Sequence, residues 1–140
     1  MSVPRLQVID LGGRRRVPAP ARPPLSRHVD GHPVDRVAQR LNDHLRVVGW
    51  DLPGHGRGVQ AQPFTIADLS AAVLLLADSL GADTFHYAGN SVGGCVGLQL
   101  LLNAPQRVGS ATLLCTGAAI GTPDDWLERA ATVRAGGIDT

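Results

Sequence analysis

The chain has 140 residues, 44% of them apolar, and a formal net charge of +1. That length holds one domain at most, and the apolar content suits a modest core and excludes a disordered composition. Near-neutral charge gives no overall bias toward nucleic acid, a membrane surface or acidic partners.

Leu6-Gln7-Val8-Ile9-Asp10-Leu11 reads as a short first strand. From Gly12 to Pro33 the pattern collapses: Arg14-Arg15-Arg16 is followed by Pro18, Pro20, Pro23 and Pro24, which rule out a sheet interior. All 13 basic residues are arginine, nine of them in the first 46 positions. An Arg-rich arm of this kind suits RNA or an acidic surface, but a solvated, disordered segment is preferred. Residues 1–33 are therefore set apart as an irregular segment, and 34–140 as the folded domain.

Order returns with an amphipathic helix in which Val34, Val37 and Leu41 share one face. A strand at Leu45–Trp50 then runs into the loop Asp51-Leu52-Pro53-Gly54-His55-Gly56-Arg57-Gly58. Thr65 is the expected N-cap of a long helix through Leu80, with Ile66, Leu69, Val73, Leu76 and Leu80 on its apolar stripe. Thr84–Ala88 is a strand, Val92–Leu102 a buried helix and Ala111–Cys115 another strand. This alternation predicts an α/β fold with a doubly wound, mostly parallel sheet. Cys95 and Cys115 have no ligand-like neighbours and are expected as buried thiols, with no metal site. No apolar run approaches the roughly 20 residues of a membrane span. Arg5 and Asp10 interrupt any signal-peptide core, so a cytoplasmic location is expected.

The chemistry concentrates at Gly89-Asn90-Ser91-Val92-Gly93-Gly94, a G-x-S-x-G pattern between a strand and a helix. A serine hydroxyl attacks a carbonyl well only when it is exposed, beside a base, and faced by donors for the developing negative charge. A sharp strand-to-helix turn supplies the exposure and requires small residues two before and two after the serine, here Gly89 and Gly93. The helix amino terminus aims N–H groups at the same point, with the Val92 N–H as the first oxyanion donor. The glycines in the first helical turns are expected to permit close approach to the sheet.

Two motifs in this order resemble the α/β-hydrolases: Trp50-Asp51-Leu52-Pro53-Gly54-His55-Gly56 and the Ser91 elbow. Residues 103–137, with Asn103-Ala104-Pro105, Cys115-Thr116-Gly117 and Trp126, are similar to the amino-terminal half of 3-oxoadipate enol-lactonases. The resemblance covers roughly residues 34–140. It implies a carboxylic-ester or lactone hydrolase of the β-ketoadipate pathway, with Ser91 as nucleophile, the Val92 N–H in the oxyanion hole, and no cofactor or metal. The partner is then a small lactone or ester, with neither nucleic acid nor membrane involved. It also places Trp126 near the entrance of a substrate lid, although a tryptophan at a helix start is more often core packing.

The same resemblance calls for an acid and a histidine after Ser91, in that order, and neither is found before Thr140. His86 lies on the strand leading in, His28 and His32 precede the recognisable fold, and His55 belongs to the glycine turn. Asp124 and Asp125 could supply an acid, with no histidine to orient. The expectation is therefore a fold truncated before its last strands and an impaired activity. Alternatives are another esterase or acyltransferase on the same fold, or a catalytically silent fragment. The second oxyanion donor should fall within residues 12–33, whose Arg, Pro and Ala composition suggests a frameshifted stretch.

Overall fold

The computed structural model describes residues 3–13, 33–55 and 63–137, which pack as two compact units spanning residues 1–64 and 65–140. The Arg-rich and Pro-rich stretch, with the expected second oxyanion donor, lies outside the described residues.

In the first unit, β1 (Gln7–Asp10) pairs antiparallel with β2 (Val48–Asp51), with Val8 opposite Trp50. Hydrogen bonds from Leu11 N–H to the Val47 carbonyl and from Val47 N–H to the Gly12 carbonyl extend the ladder, and the Arg46–Asp10 ion pair at 2.8 Å closes its end. The second strand begins later than the predicted Leu45 because Leu45 N–H is still bonded to the Leu41 carbonyl in the turn leaving α1 (Pro33–Leu41). Among the described side chains of that helix Ala38 is buried, while Val37 and Leu41 of the predicted stripe are exposed. After β2, Gly54 turns the chain at φ +80°, a conformation that favours glycine, and His55 N–H bonds the Leu52 carbonyl.

The second unit opens with α2 (Ile66–Ser79). Thr65 caps it as predicted: its hydroxyl accepts from Asp68 N–H at 3.1 Å, while Thr65 N–H donates back to the Asp68 carboxylate at 2.9 Å. The buried positions are Leu69, Ser70, Ala72, Val73 and Ala77, rotated from the predicted stripe toward small residues that permit closer packing. Next come β3 (Phe85–Asn90), α3 (Val92–Asn103), a 3-10 turn at Pro105–Arg107, β4 (Val108–Leu114) and α4 (Pro123–Gly136). Strands β3 and β4 are parallel, with Asn90 beside Leu114 at their carboxyl ends.

Helix α3 packs on both strands and α2 packs on α3. Leu69, Val73, Tyr87, Val96, Leu100 and Ala104 form the core. Along both strands exposure alternates: Tyr87 and Leu113 lie against α3, while His86, Ala88, Ser110, Thr112 and Leu114 are exposed. Arg107 fastens the 3-10 turn to the end of α2 through the Asp78 carboxylate (2.6 Å), the Ala82 carbonyl (3.0 Å) and the Asp83 carbonyl (2.6 Å). Among the described residues no helix is long and apolar enough to cross a membrane.

Hydrogen bonds from Thr65 hold the Asp68 carboxyl below its ordinary value of 3.8. A depressed folded-state value means that the cap stabilises the fold above the unfolded value and that this is lost as pH falls through the folded one. Amide protection across Ile66–Leu69, corrected for the intrinsic exchange rate, should therefore fall below about pH 4, and Asp68→Asn should flatten that dependence.

Candidate functional site

Strand β3 ends at Asn90 and α3 begins at Val92, so Ser91 alone makes the turn. Its φ of 53° and ψ of −116° fall in a region that side-chain-bearing residues rarely adopt, at a cost on the order of 1–3 kcal/mol. Two backbone bonds hold it there: Ser91 N–H donates to the Leu114 carbonyl at 2.9 Å, and the Ser91 carbonyl accepts from Cys95 N–H at 3.1 Å. Ser91 occupies the N-cap position, yet its hydroxyl makes no capping bond to the first turn. A serine there ordinarily spends its oxygen on a free N–H; this one is exposed and uncommitted to the helix.

Because the first bond of the helix is made by Cys95 N–H, those of Val92, Gly93 and Gly94 have no acceptor within α3. Together with the positive end of the helix dipole they favour an anion beside Ser91. A tetrahedral oxyanion formed on Ser91 would take the Val92 N–H as its nearest backbone donor. The structure thus brings the two expected residues, Ser91 and Val92, together.

The glycines divide into required and permissive. A Cβ on Gly89 would collide with the Gly93 carbonyl and stand 2.8 Å from the Gly94 nitrogen, backbone atoms that cannot give way. A Cβ on Gly97 would collide with the Leu113 side chain and stand 2.8 Å from the Tyr87 ring. Gly94 is filled against Thr116, whose Cβ stands 2.5 Å from the position of an added Cβ. Gly93 is different: its nearest neighbour would be the Tyr87 hydroxyl at 4.0 Å, so the expected need for a small residue holds at Gly89 and not at Gly93.

Tyr87 ties the strand to the elbow by donating its hydroxyl hydrogen to the Gly93 carbonyl at 2.8 Å. Burial pushes this phenol well above its ordinary value of 10.0.

Sequence reasoning missed the third side of the site, the chain leaving β4. Leu114 supplies the carbonyl that accepts from Ser91, Cys115 turns at φ 49°, and Thr116 meets the first turn of α3, its hydroxyl 3.3 Å from the Cys95 sulfur. The signal was the parallel pairing itself, since two strands joined through α3 bring the residues after each carboxyl end side by side. Cys115, expected in the core, is exposed, and Cys95 is half-buried. The left-handed turn at Cys115 carries the chain off the strand and out of the core.

The other candidates make contacts of their own. Trp126, on α4, is 50% exposed, which overturns core packing; its indole N–H donates to the Ile120 carbonyl at 2.5 Å and Arg129 lies 5.8 Å from the ring centre. These contacts are local. His86 takes Ser110 as partner at 2.8 Å, on the strand face opposite Tyr87 and α3. His55 Nδ1 lies 3.4 Å from the Pro53 carbonyl within the first unit. Asp125 is committed to a second capping box, its carboxylate accepting from Thr122 N–H at 2.9 Å and the Thr122 hydroxyl at 2.7 Å, which lowers its pKa.

Residues 26–136 match the family model described as alpha/beta hydrolase fold. The chain is 35% identical over 98 residues to 3-oxoadipate enol-lactonase 1 of Acinetobacter baylyi, covering 70% of this chain and 37% of that protein. It is 44% identical over 72 residues to the dihydrolipoyllysine-residue acetyltransferase component of the acetoin cleaving system of Pseudomonas putida, covering 51% of this chain and 20% of the relative. The crystal structure of the enol-lactonase from Burkholderia xenovorans superposes with a TM-score of 0.67, at 34% identity over 73% of this chain and 40% of that one. The chain thus spans well under half the length of each of these relatives.

Gly93→Ala should leave urea denaturation unchanged or raise its midpoint, because alanine is favoured over glycine in a helix by about 0.5–1 kcal/mol. Gly97→Ala should lower the midpoint, with a loss of stability of about 1–3 kcal/mol, the range for overpacking. As the one tyrosine of the chain, Tyr87 can be titrated by absorbance. The folded protein should keep its phenol protonated well above pH 10.0, and stability should be full below that unfolded-state value and fall as pH rises beyond it.

Proposed function

This chain belongs to the alpha/beta hydrolase fold family, and from that we infer that Ser91 is the nucleophile of a serine hydrolase acting on a carboxylic ester or lactone, with an enol-lactone of the 3-oxoadipate type as substrate. The observation that carries the reading is the Ser91 hydroxyl, left out of the helix cap and held at a strained one-residue turn beside unbonded N–H groups.

In this mechanism Ser91 Oγ attacks the lactone carbonyl as a base takes its proton, and the Val92 N–H faces the oxyanion. Collapse breaks the ring C–O bond, the enolate leaves and takes a proton at its carbon so that its oxygen becomes a ketone carbonyl, and water releases the acid from Ser91. The chemistry uses no metal or cofactor. His86 is not the base, because its ring sits on the face away from α3 and is engaged by Ser110. In subtilisin, loss of the triad histidine lowers kcat by about 2 × 10⁶. The isolated 140-residue polypeptide is therefore expected to be a slow catalyst.

A second reading, acyl transfer from Ser91 to an acceptor other than water, is favoured by the match to an acetyltransferase component. The two differ in whether added acceptor or water takes the acyl group.

The test is lactone opening followed by absorbance, with and without imidazole as an external base, beside labelling by a serine-reactive fluorophosphonate. Slow hydrolysis and labelling, both accelerated by imidazole and both abolished by Ser91→Ala, are expected. Hydrolysis and labelling that are the same in Ser91→Ala would end the assignment.

A further inference from the structure

Resting on the reading of Ser91 as nucleophile, we propose that Thr116 is a positioning residue: seated against Gly94, it clamps the first turn of α3 and so sets the direction of the Ser91 hydroxyl and the Val92 N–H.

Ser91 sits in a backbone conformation that persists only where the surroundings over-determine it. Gly89 leaves room for the turn but does not hold it. The holding contacts come from the chain leaving β4, at three successive points along the elbow. The Leu114 carbonyl takes Ser91 N–H at 2.9 Å. The Thr116 side chain fills the space where a Cβ on Gly94 would stand, with its Cγ2 at 2.5 Å and Oγ1 at 2.8 Å from that position. The Thr116 hydroxyl lies 3.3 Å from the Cys95 sulfur.

Residues 91, 94 and 95 are thus fixed from outside the helix, and the unbonded N–H groups of Val92 and Gly93 lie between them. Cys115 makes this geometry possible. As one of the two non-glycine residues with positive φ among those described, at 49°, it turns the chain out of β4 so that Thr116 meets α3. A β-branched side chain suits the task, because its χ1 is restricted and its methyl holds one position against the glycine. The two strained residues, Ser91 and Cys115, then follow the paired residues Asn90 and Leu114, so each turn is braced by the other.

The clamp makes a reciprocal prediction. Thr116→Gly removes the filler and Gly94→Ala pushes it out, so each alone should loosen the elbow. Combined, the new methyl occupies the space that threonine has vacated, and the two changes should compensate as neighbouring sites do. Thr116→Val keeps the branch and methyl and loses only the hydroxyl contact to Cys95, so it should retain most of the clamp.

Two readouts keep this separate from the catalytic reading. The first is the rate of fluorophosphonate labelling at Ser91 in imidazole, expected to fall about tenfold in Thr116→Gly and Gly94→Ala and to recover in Thr116→Val and in the double variant relative to Gly94→Ala. The second is amide exchange at Ser91, expected to rise about tenfold in the single variants while Leu100 and Ala104 keep their protection. If the parent itself is not labelled, the nucleophile reading fails and exchange at Ser91 decides the clamp on its own. Unchanged exchange at Ser91 in Thr116→Gly would overturn it. So would a loss shared equally by Leu100 and Ala104, or a double variant as impaired as the sum of the singles.

Discussion

The structure of the second unit depends on one close approach, that of the α3 backbone to the carboxyl end of β3. Gly89 lies so near the Gly93 carbonyl that no side chain fits between them, and that proximity allows a single residue to join strand to helix. The rest of the unit serves the same contact. Tyr87 reaches up from the strand to the Gly93 carbonyl, Gly97 lets the helix settle on Leu113 and Tyr87, and Val96 and Leu100 anchor the later turns in the core. A strained turn is stable only when packing around it leaves no alternative, and these contacts supply that packing.

The outcome is a hydroxyl whose usual partner has been withheld. At an ordinary helix start, serine satisfies a backbone N–H of the first turn and gains about 1 kcal/mol for the helix. Thr65 and Thr122 do this at α2 and α4, each in a complete capping box. Ser91 does not: at φ 53° and ψ −116° it has left the extended conformation that Thr65 and Thr122 adopt, and its hydroxyl makes no capping bond. Helix stability is given up locally and the unsatisfied N–H groups remain to face an anion. The contrast among three hydroxyl-bearing N-cap residues in one chain separates capping from chemistry more sharply than the pentapeptide pattern does.

Much of this was legible in the sequence, for physical reasons that can be named. The order of strands and helices followed from apolar spacing and turn residues, and the capping role of Thr65 from a hydroxyl residue ahead of an apolar run. The elbow followed from glycines around a serine. Boundaries moved where local pattern and pairing disagree: β4 starts at Val108 because pairing with Phe85 recruits Gly109 and Ser110, which carry little strand preference of their own. The buried face of α2 turned toward Ser70, Ala72 and Ala77 because small residues let α3 come close, a preference that apolar periodicity does not encode. Cys115 left the core because the backbone reverses there.

The sequence by itself determined which residue could act as nucleophile and which N–H could face its oxyanion, because both follow from the one-dimensional order of strand, small residue, serine and helix. It also determined the family, through two motifs in a fixed order. Only the tertiary structure decided what holds Ser91 in place. Leu114, Cys115 and Thr116 lie more than 20 residues from Ser91 in the chain, where nothing in the sequence ties them to it, and they reach it because parallel pairing of β3 with β4 sets their carboxyl ends side by side. It likewise decided that His86 serves Ser110, since the alternation of a strand, fixed by the burial of Tyr87, turns that imidazole to the opposite face.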